Sequence, residues 1–264
     1  RYSTLNRLRP GGDVEILAGG VGSDGFPATQ IVNPYDLAPA PDGDGFLVSD
    51  SGANAVFRVS QSGEITDFAA FERRQNPRFT SGSDAFRFME VVPTGIALGP
   101  DGAVYLASLT GFPYPPGTAQ VYRLEDLNGD GDALDQGEAT VFAEGFTAAT
   151  DLAFEADGSL LVTEYSGDML RLIQEFGVDE AERVPGRLVR WQDGAIEVVE
   201  DGLVSPTSIA VAGEKIFVSE EFAGRVSQVG ALEDGVPLLW PGIAGILAAG
   251  VVLMAFVGVI GVKT

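Results

Sequence analysis

The stretch Asp126 to Glu138, DLNGDGDALDQGE, holds the densest set of oxygen donors in the chain. Asp126, Asn128 and Asp130 alternate and are followed by Gly131, the first half of a calcium loop, in which side-chain oxygens converge while glycine allows the sharp turn. The Asp132 carbonyl, Asp135 and Glu138 can complete the shell. An EF-hand carries its bidentate Glu at loop position 12; here that place is Gly137, Glu138 is one further, and no pattern of paired helices flanks the run. The expectation is an isolated β-loop clamped by a structural Ca2+, since so many carboxylates in one loop repel each other without a cation.

A second constellation is positional. Asp50, Ser108, Glu164 and Glu220 close the segments FLVSD, VYLAS, LLVTE and IFVSE. In a closed repeat array three such carboxylates can surround a common opening and hold a metal or substrate, as in calcium-dependent lactonases built on propellers. Alternatively each caps the glycine turn that follows it by accepting from backbone N–H groups. Asp36 and Asp151, at the starts of the preceding segments, carry the same two readings. Capping weighs more, so no catalytic residue is expected.

His and Cys are both absent. That removes the commonest general base, the Ser-His-Asp triad, thiolate zinc sites and a cysteine nucleophile together. The chain is therefore expected not to be an enzyme. A formal charge of −22, from 38 acidic and 16 basic residues, repels nucleic acid and anionic lipid surfaces.

Arginine and phenylalanine concentrate in ERRQNPRFTSGSDAFRFME, Glu72 to Glu90, as Arg73, Arg74, Arg78, Phe79, Phe86, Arg87 and Phe88. Interfaces enrich these types. Packing of the segment onto its own domain, with the Arg side chains paired to carboxylates, is the equal alternative. The Pro-stiffened GFPYPPG, Gly111 to Gly117, projects Phe112 and Tyr114 and loses little entropy on binding.

These residues sit on a repeat. NPYDLAPAPDGDGFLVSDSG, VPTGIALGPDGAVYLASLTG, AATDLAFEADGSLLVTEYSG and SPTSIAVAGEKIFVSEEFAG place Leu37, Ile96, Leu152 and Ile209 in register, at steps of 59, 56 and 57 residues. Three copies contain Asp-Gly, the hairpin signal. Third and fourth strands follow, as in AVFRVS and EITDFAAF, QVYRLE and ATVFAEGF, RLVRWQ and AIEVVEDG. Four antiparallel strands per unit make a β-propeller blade, so the fold class is all-β. Four blades are favoured over five or six. The last copy stops at a third strand, GRVSQV, and DVEILAGG, Asp13 to Gly20, is the expected donor of its fourth; RYSTLNRLRP ahead of it resembles another third strand.

DSGANAVFRV and PTGIALGPDGAVYLASLTGFPYPPGTAQVYRL resemble the ScyD/ScyE family of exported β-propellers related to NHL repeats, over roughly residues 30 to 230. The resemblance implies a propeller and export, with no established activity.

The chain closes on PLLWPGIAGILAAGVVLMAFVGVIGVKT. A helix over 238–262 reaches roughly 37 Å, long enough for a hydrocarbon core of about 30 Å. Trp240 suits the interface, and Lys263 beyond the run favours a cytoplasmic end. The organisation expected is a periplasmic or otherwise extracytoplasmic propeller over 1–230, a linker over 231–237, a single membrane pass over 238–262 and a short cytoplasmic end. RYSTLNRLRP has no apolar signal region, so a signal cleaved ahead of it, or a missing start, is expected. Gly245 and Ala249, with small-xxx-small spacing, let a second helix approach.

Together these features lead to an accessory or scaffold subunit of a membrane assembly, with respiratory or photosynthetic electron-transfer complexes as candidates. Its partners are expected to be membrane subunits, met through the helix and projecting loops, and the lipid bilayer. The alternatives are a calcium-dependent lactone or sugar-ester hydrolase and an extracytoplasmic ligand sensor.

Overall fold

In the computed structural model, residues 4–9, 11–19 and 31–229 are described. Among them the chain is all-β, apart from short helical turns, and forms a four-bladed β-propeller. The apolar run over 238–262, with Gly245 and Ala249, lies outside the described residues. Within them no helix is long and apolar enough to cross a membrane.

The chain opens with a hairpin of β1 (Thr4–Leu8) and β2 (Val14–Gly19). Blade 1 comprises β3 (Pro34–Pro39), β4 (Phe46–Asp50), β5 (Ala55–Val59) and β6 (Ile65–Ala70). A two-stranded insertion, β7 (Arg74–Gln75) with β8 (Phe88–Met89), leads to blade 2. That blade is β9 (Pro93–Leu98), β10 (Val104–Ser108), β11 (Ala119–Leu124) and β12 (Ala139–Phe146). Blade 3 is β13 (Ala149–Phe154), β14 (Leu160–Glu164), β15 (Gly186–Gln192) and β16 (Ala195–Leu203). Blade 4 has three strands among the described residues, β17 (Pro206–Ala212), β18 (Lys215–Glu220) and β19 (Arg225–Val229). Every blade is an antiparallel meander in chain order. The turns between first and second strands need positive φ, and Gly43, Gly102 and Gly158 supply it at +81°, +82° and +88°.

Strand alternation gives each blade two apolar faces, one toward the following blade and one toward the preceding blade. Leu47 and Val56 of blade 1 pack on Ile96, Val104 and Leu106 of blade 2. Tyr105, Ala107 and Val121 of blade 2 pack on Leu152, Leu160, Val162 and Val189 of blade 3. Leu161 and Leu188 of blade 3 pack on Ile216, Val218 and Val229 of blade 4. Each fully buried aliphatic side chain contributes about 1.5–3 kcal/mol, so the seams between blades form the core. Hydroxyl groups add a tie at each seam: Ser49 Oγ donates to the Thr94 carbonyl, Thr94 Oγ1 to Ala149 (2.9 Å) and Thr150 Oγ1 to Pro206 (2.8 Å).

One strand is placed otherwise than expected. β2 pairs with β1 alone and does not complete blade 4. The reason is apolar: Leu5 and Ala18 are buried against Val48, Phe57 and Val59, on the face of blade 1 that no blade precedes among the described residues.

Candidate functional site

The first strands of the four blades carry Asp36, Gly95, Asp151 and Ser208 at one register position, since Leu37, Ile96, Leu152 and Ile209 follow them. Asp36 Oδ2 accepts from the Ile96 amide of blade 2 at 3.0 Å, and Asp151 Oδ2 from the Ile209 amide of blade 4 at 2.7 Å. Gly95 lies between the two acids. A β-carbon there would fall 2.3 Å from Asp151 Oδ1, so the missing side chain is the space that carboxyl fills. Blades 1 and 3 thereby bring two carboxyl groups to one place.

Their environment holds protons. Burial, then the charge of Asp36, pushes the Asp151 carboxyl up to about 8, against the lowering effect of the Ile209 and Leu152 amides and the Ser208 hydroxyl. Burial raises Asp36 too, opposed by the Ile96 and Leu37 amides. Tyr35, beside them, is raised by burial and by the charges of Asp151, Asp36 and Glu221. The Tyr165 hydroxyl donates to Glu221 Oε2 at 3.5 Å and is pushed up to about 12, chiefly by burial. Tyr35 and Asp36 are half-buried, Asp151 is buried and Glu221 is exposed, so the cluster runs from solvent inward.

The carboxylates at the ends of the second strands do something else. Asp50 accepts from the amides of Val32 (2.7 Å), Asn33, Gly52 and Ala53 (2.9 Å each). Glu164 accepts from Thr147 N at 2.7 Å and pairs with Arg187; Glu220 accepts from Val204 N at 2.7 Å and pairs with Arg225. Ser108 exchanges hydrogen bonds with the Gln120 backbone. All four are buried, and each closes the loop of its own blade. Only Asp50 caps the glycine turn that follows it; Glu164 and Glu220 instead hold the amide that precedes the first strand of their own blade, and Ser108 ties the second strand to the third.

The loop 126–138 uses its oxygens in the same manner. Asp126 accepts from the amides of Gly129 (2.6 Å), Asp130 (3.2 Å) and Gly131 (2.8 Å). The buried Glu138 accepts from Leu127 N and Asp135 N. Asp132 accepts from Leu134 N at 2.9 Å. Asn128 donates its side-chain amide to Asp130 (3.1 Å) and Asp135 (2.5 Å). Among the described residues no group of three or more acidic side chains is clustered as a metal site. The loop's oxygens are of the type that a hard cation takes, and here they accept from the loop's own N–H groups, Asn128 Oδ1 from the Asp130 amide at 2.8 Å among them.

The Arg/Phe insertion folds back on blade 2. Arg74 donates to Gln120 and to the Thr118 carbonyl, and Arg78 to the Pro116 carbonyl at 2.7 Å. Arg73 and Arg87 lie over the Phe88 ring at 5.5 and 5.4 Å and pair with Glu90 and Asp84. Phe79, Phe86, Phe112 and Tyr114 form a continuous row, with centroids 5.8, 5.2 and 6.0 Å apart. The three phenylalanines stay about 40 % exposed, whereas Tyr114 packs among Met169, Leu172 and Tyr165. Those last residues belong to or flank a second insertion, helical turns over 169–183 between β14 and β15, which no sequence pattern had announced.

No protein-family model matches the chain, and no curated protein matches it. Among solved structures it is similar to virginiamycin B lyase from Staphylococcus aureus (18% identity, 85% of this chain and 64% of that one, TM-score 0.47). It is also similar to a gluconolactonase from Xanthomonas campestris (14%, 74% and 57%, 0.45). A third is a Thermus thermophilus protein described as a candidate oxidoreductase, glucose dehydrogenase (21%, 81% and 63%, 0.49). The chain thus spans less than two thirds of the length of each of these three proteins. The expectation of a non-enzyme is corrected here: these three similar proteins are described as enzymes.

Proposed function

We propose that the chain is a hydrolase of neutral lactones or sugar esters whose acid–base pair is Asp36 and Asp151. The observation that carries this is the meeting of two carboxyl groups at Gly95, where burial and mutual repulsion keep one proton on Asp151 near neutral pH. Two groups of unequal proton affinity can divide the work. Asp36 takes a proton from water, the resulting hydroxide adds to the carbonyl carbon, and Asp151 gives its proton to the leaving oxygen as the ester C–O bond breaks. Proton transfer from Asp36 to Asp151 restores the starting state. Acidic surroundings of this kind favour an uncharged substrate.

The test is hydrolysis of aldonolactones and acetylated sugars by the full chain, followed by pH titration. Asp36→Asn and Asp151→Asn each lower turnover at least a hundredfold with the fold intact. An absence of turnover by the unmutated chain between pH 5 and 9 removes the proposal.

The row Phe79, Phe86 and Phe112 supports a second role for the same domain, docking to another subunit of a membrane assembly, because three adjacent exposed rings on an acidic molecule are what interfaces use. Replacing all three by Ala abolishes co-purification of such a subunit from detergent-solubilised native membranes; co-purification that survives the triple change refutes this role.

A further inference from the structure

The four blades repeat one interface three times, and a fourth instance has no partner among the described residues. Leu47, Tyr105 and Leu161 occupy equivalent places in β4, β10 and β14, and Val56, Val121 and Leu188 in β5, β11 and β15. All six are buried, at 4 % exposure or less, against the following blade. The corresponding residues of blade 4 are Phe217 and Val226. Phe217 is only half-buried and Val226 is 46 % exposed. The hydroxyl tie differs as well. Ser49, Thr94 and Thr150 each donate to the next blade, whereas the blade 4 hydroxyls of Thr207 and Ser219 bond to each other within their own sheet.

The opposite end of the stack has the complementary defect. The hairpin β1–β2 covers blade 1 with Leu5 and Ala18, and its other side presents Leu8, Val14 and Ile16 at 63, 67 and 61 % exposure. That side carries no charged residue, since Asn6, Leu8, Val14 and Ile16 alternate with the ion-paired Arg7 and Glu15. Blade 4 offers Phe217, Ser219, Val226 and Gln228 on its open face, with the exposed Lys215 at the start of the same strand side. Two acid-free faces on a molecule of net charge −22 are the places where a like-charged copy can approach.

We propose that a second copy of this chain seats the Leu8/Val14/Ile16 side of its hairpin on the Phe217/Val226 face of blade 4, continuing the blade-to-blade stacking between molecules. The occupant is inferred from continuity: the open face repeats an interface already made three times, and the chain itself carries a face of the opposite sense. The contact is heterologous, so it is met twice in a closed pair or continues as a stack.

The test is sedimentation of the full chain in detergent, at micromolar to hundred-micromolar concentration, with Val226→Glu and Ile16→Glu. Both positions are exposed, so circular dichroism is expected to match the unmutated chain. The unmutated chain associates, and each variant alone sediments as a single chain. An equimolar mixture of the two variants recovers a two-chain species, because one keeps its hairpin and the other its blade 4. A single-chain species for the unmutated protein overturns the proposal, as does association that survives both substitutions, which would place the contact elsewhere, or a mixture that fails to recover it.

Discussion

Asp151 and Gly95 occupy one another's space: a β-carbon on the glycine would lie 2.3 Å from Asp151 Oδ1 and 2.6 Å from Asp151 Cα. Gly95 has no positive φ, so its requirement is steric and not conformational. Gly95→Ala therefore pushes the third blade's first strand outward or turns the carboxyl away. The expected cost is about 1–3 kcal/mol of stability, read as a lower denaturant midpoint, with a larger proportional loss of hydrolysis. An alanine variant with unchanged midpoint and turnover would mean the seam yields freely.

Asp151 couples stability to pH. Its folded-state pKa lies near 8 against an ordinary value of 3.8, so the folded chain holds a proton that the unfolded chain releases. The stability linked to it is fully present below about pH 4 and is lost as pH rises through about 8. Between pH 5 and 9 the melting temperature falls, and Asp151→Asn flattens that slope. Equal slopes for both proteins would show that Asp151 ionises normally.

Asp50 accepts from four backbone amides, so its removal strands several donors at once. Asp50→Ala is expected to cost about 2–4 kcal/mol, each stranded donor contributing about 1–3 kcal/mol before relaxation. Turnover per folded molecule stays unchanged. A variant of normal stability that has lost activity would instead return Asp50 to a substrate or metal site.

Calcium binding by the loop 126–138 has a thermal readout. Added to chelator-treated protein at a hundredfold excess over its Kd, the ion raises the melting temperature by about 5–10 °C. The double variant Asp130→Ala/Asp135→Ala loses the response. A melting temperature indifferent to millimolar calcium would leave the loop held by its own amide bonds.

Much of the architecture was legible because a propeller repeats its hydrophobic pattern. FLVSD, VYLAS and LLVTE coincide with β4, β10 and β14, and the Asp-Gly turns fall where glycine takes positive φ. The hairpin was harder to place, because DVEILAGG suits the outer edge of any blade, and only the burial of Leu5 and Ala18 decides which. The helical turns over 169–183 left no periodic signal: Gly177, at φ +93°, breaks them into pieces too short to show an amphipathic stripe. Asp36 and Asp151 were visible as residues but not as a pair. Their meeting depends on what blade 2 lacks, and the clue was the alternation Asp, Gly, Asp, Ser at one position of the repeat.

The insertions fall unevenly around the domain. The segment leading from blade 1 into blade 2, the GFPYPPG loop and the helical turns of blade 3 all rise beside blades 2 and 3. The corresponding connections after β4 and β18 are only a few residues long. Among the described residues the long connections therefore belong to blades 2 and 3 and the short ones to blades 1 and 4. A substrate of the proposed acid–base pair would meet the exposed Glu221 and the half-buried Tyr35 before the buried Asp151.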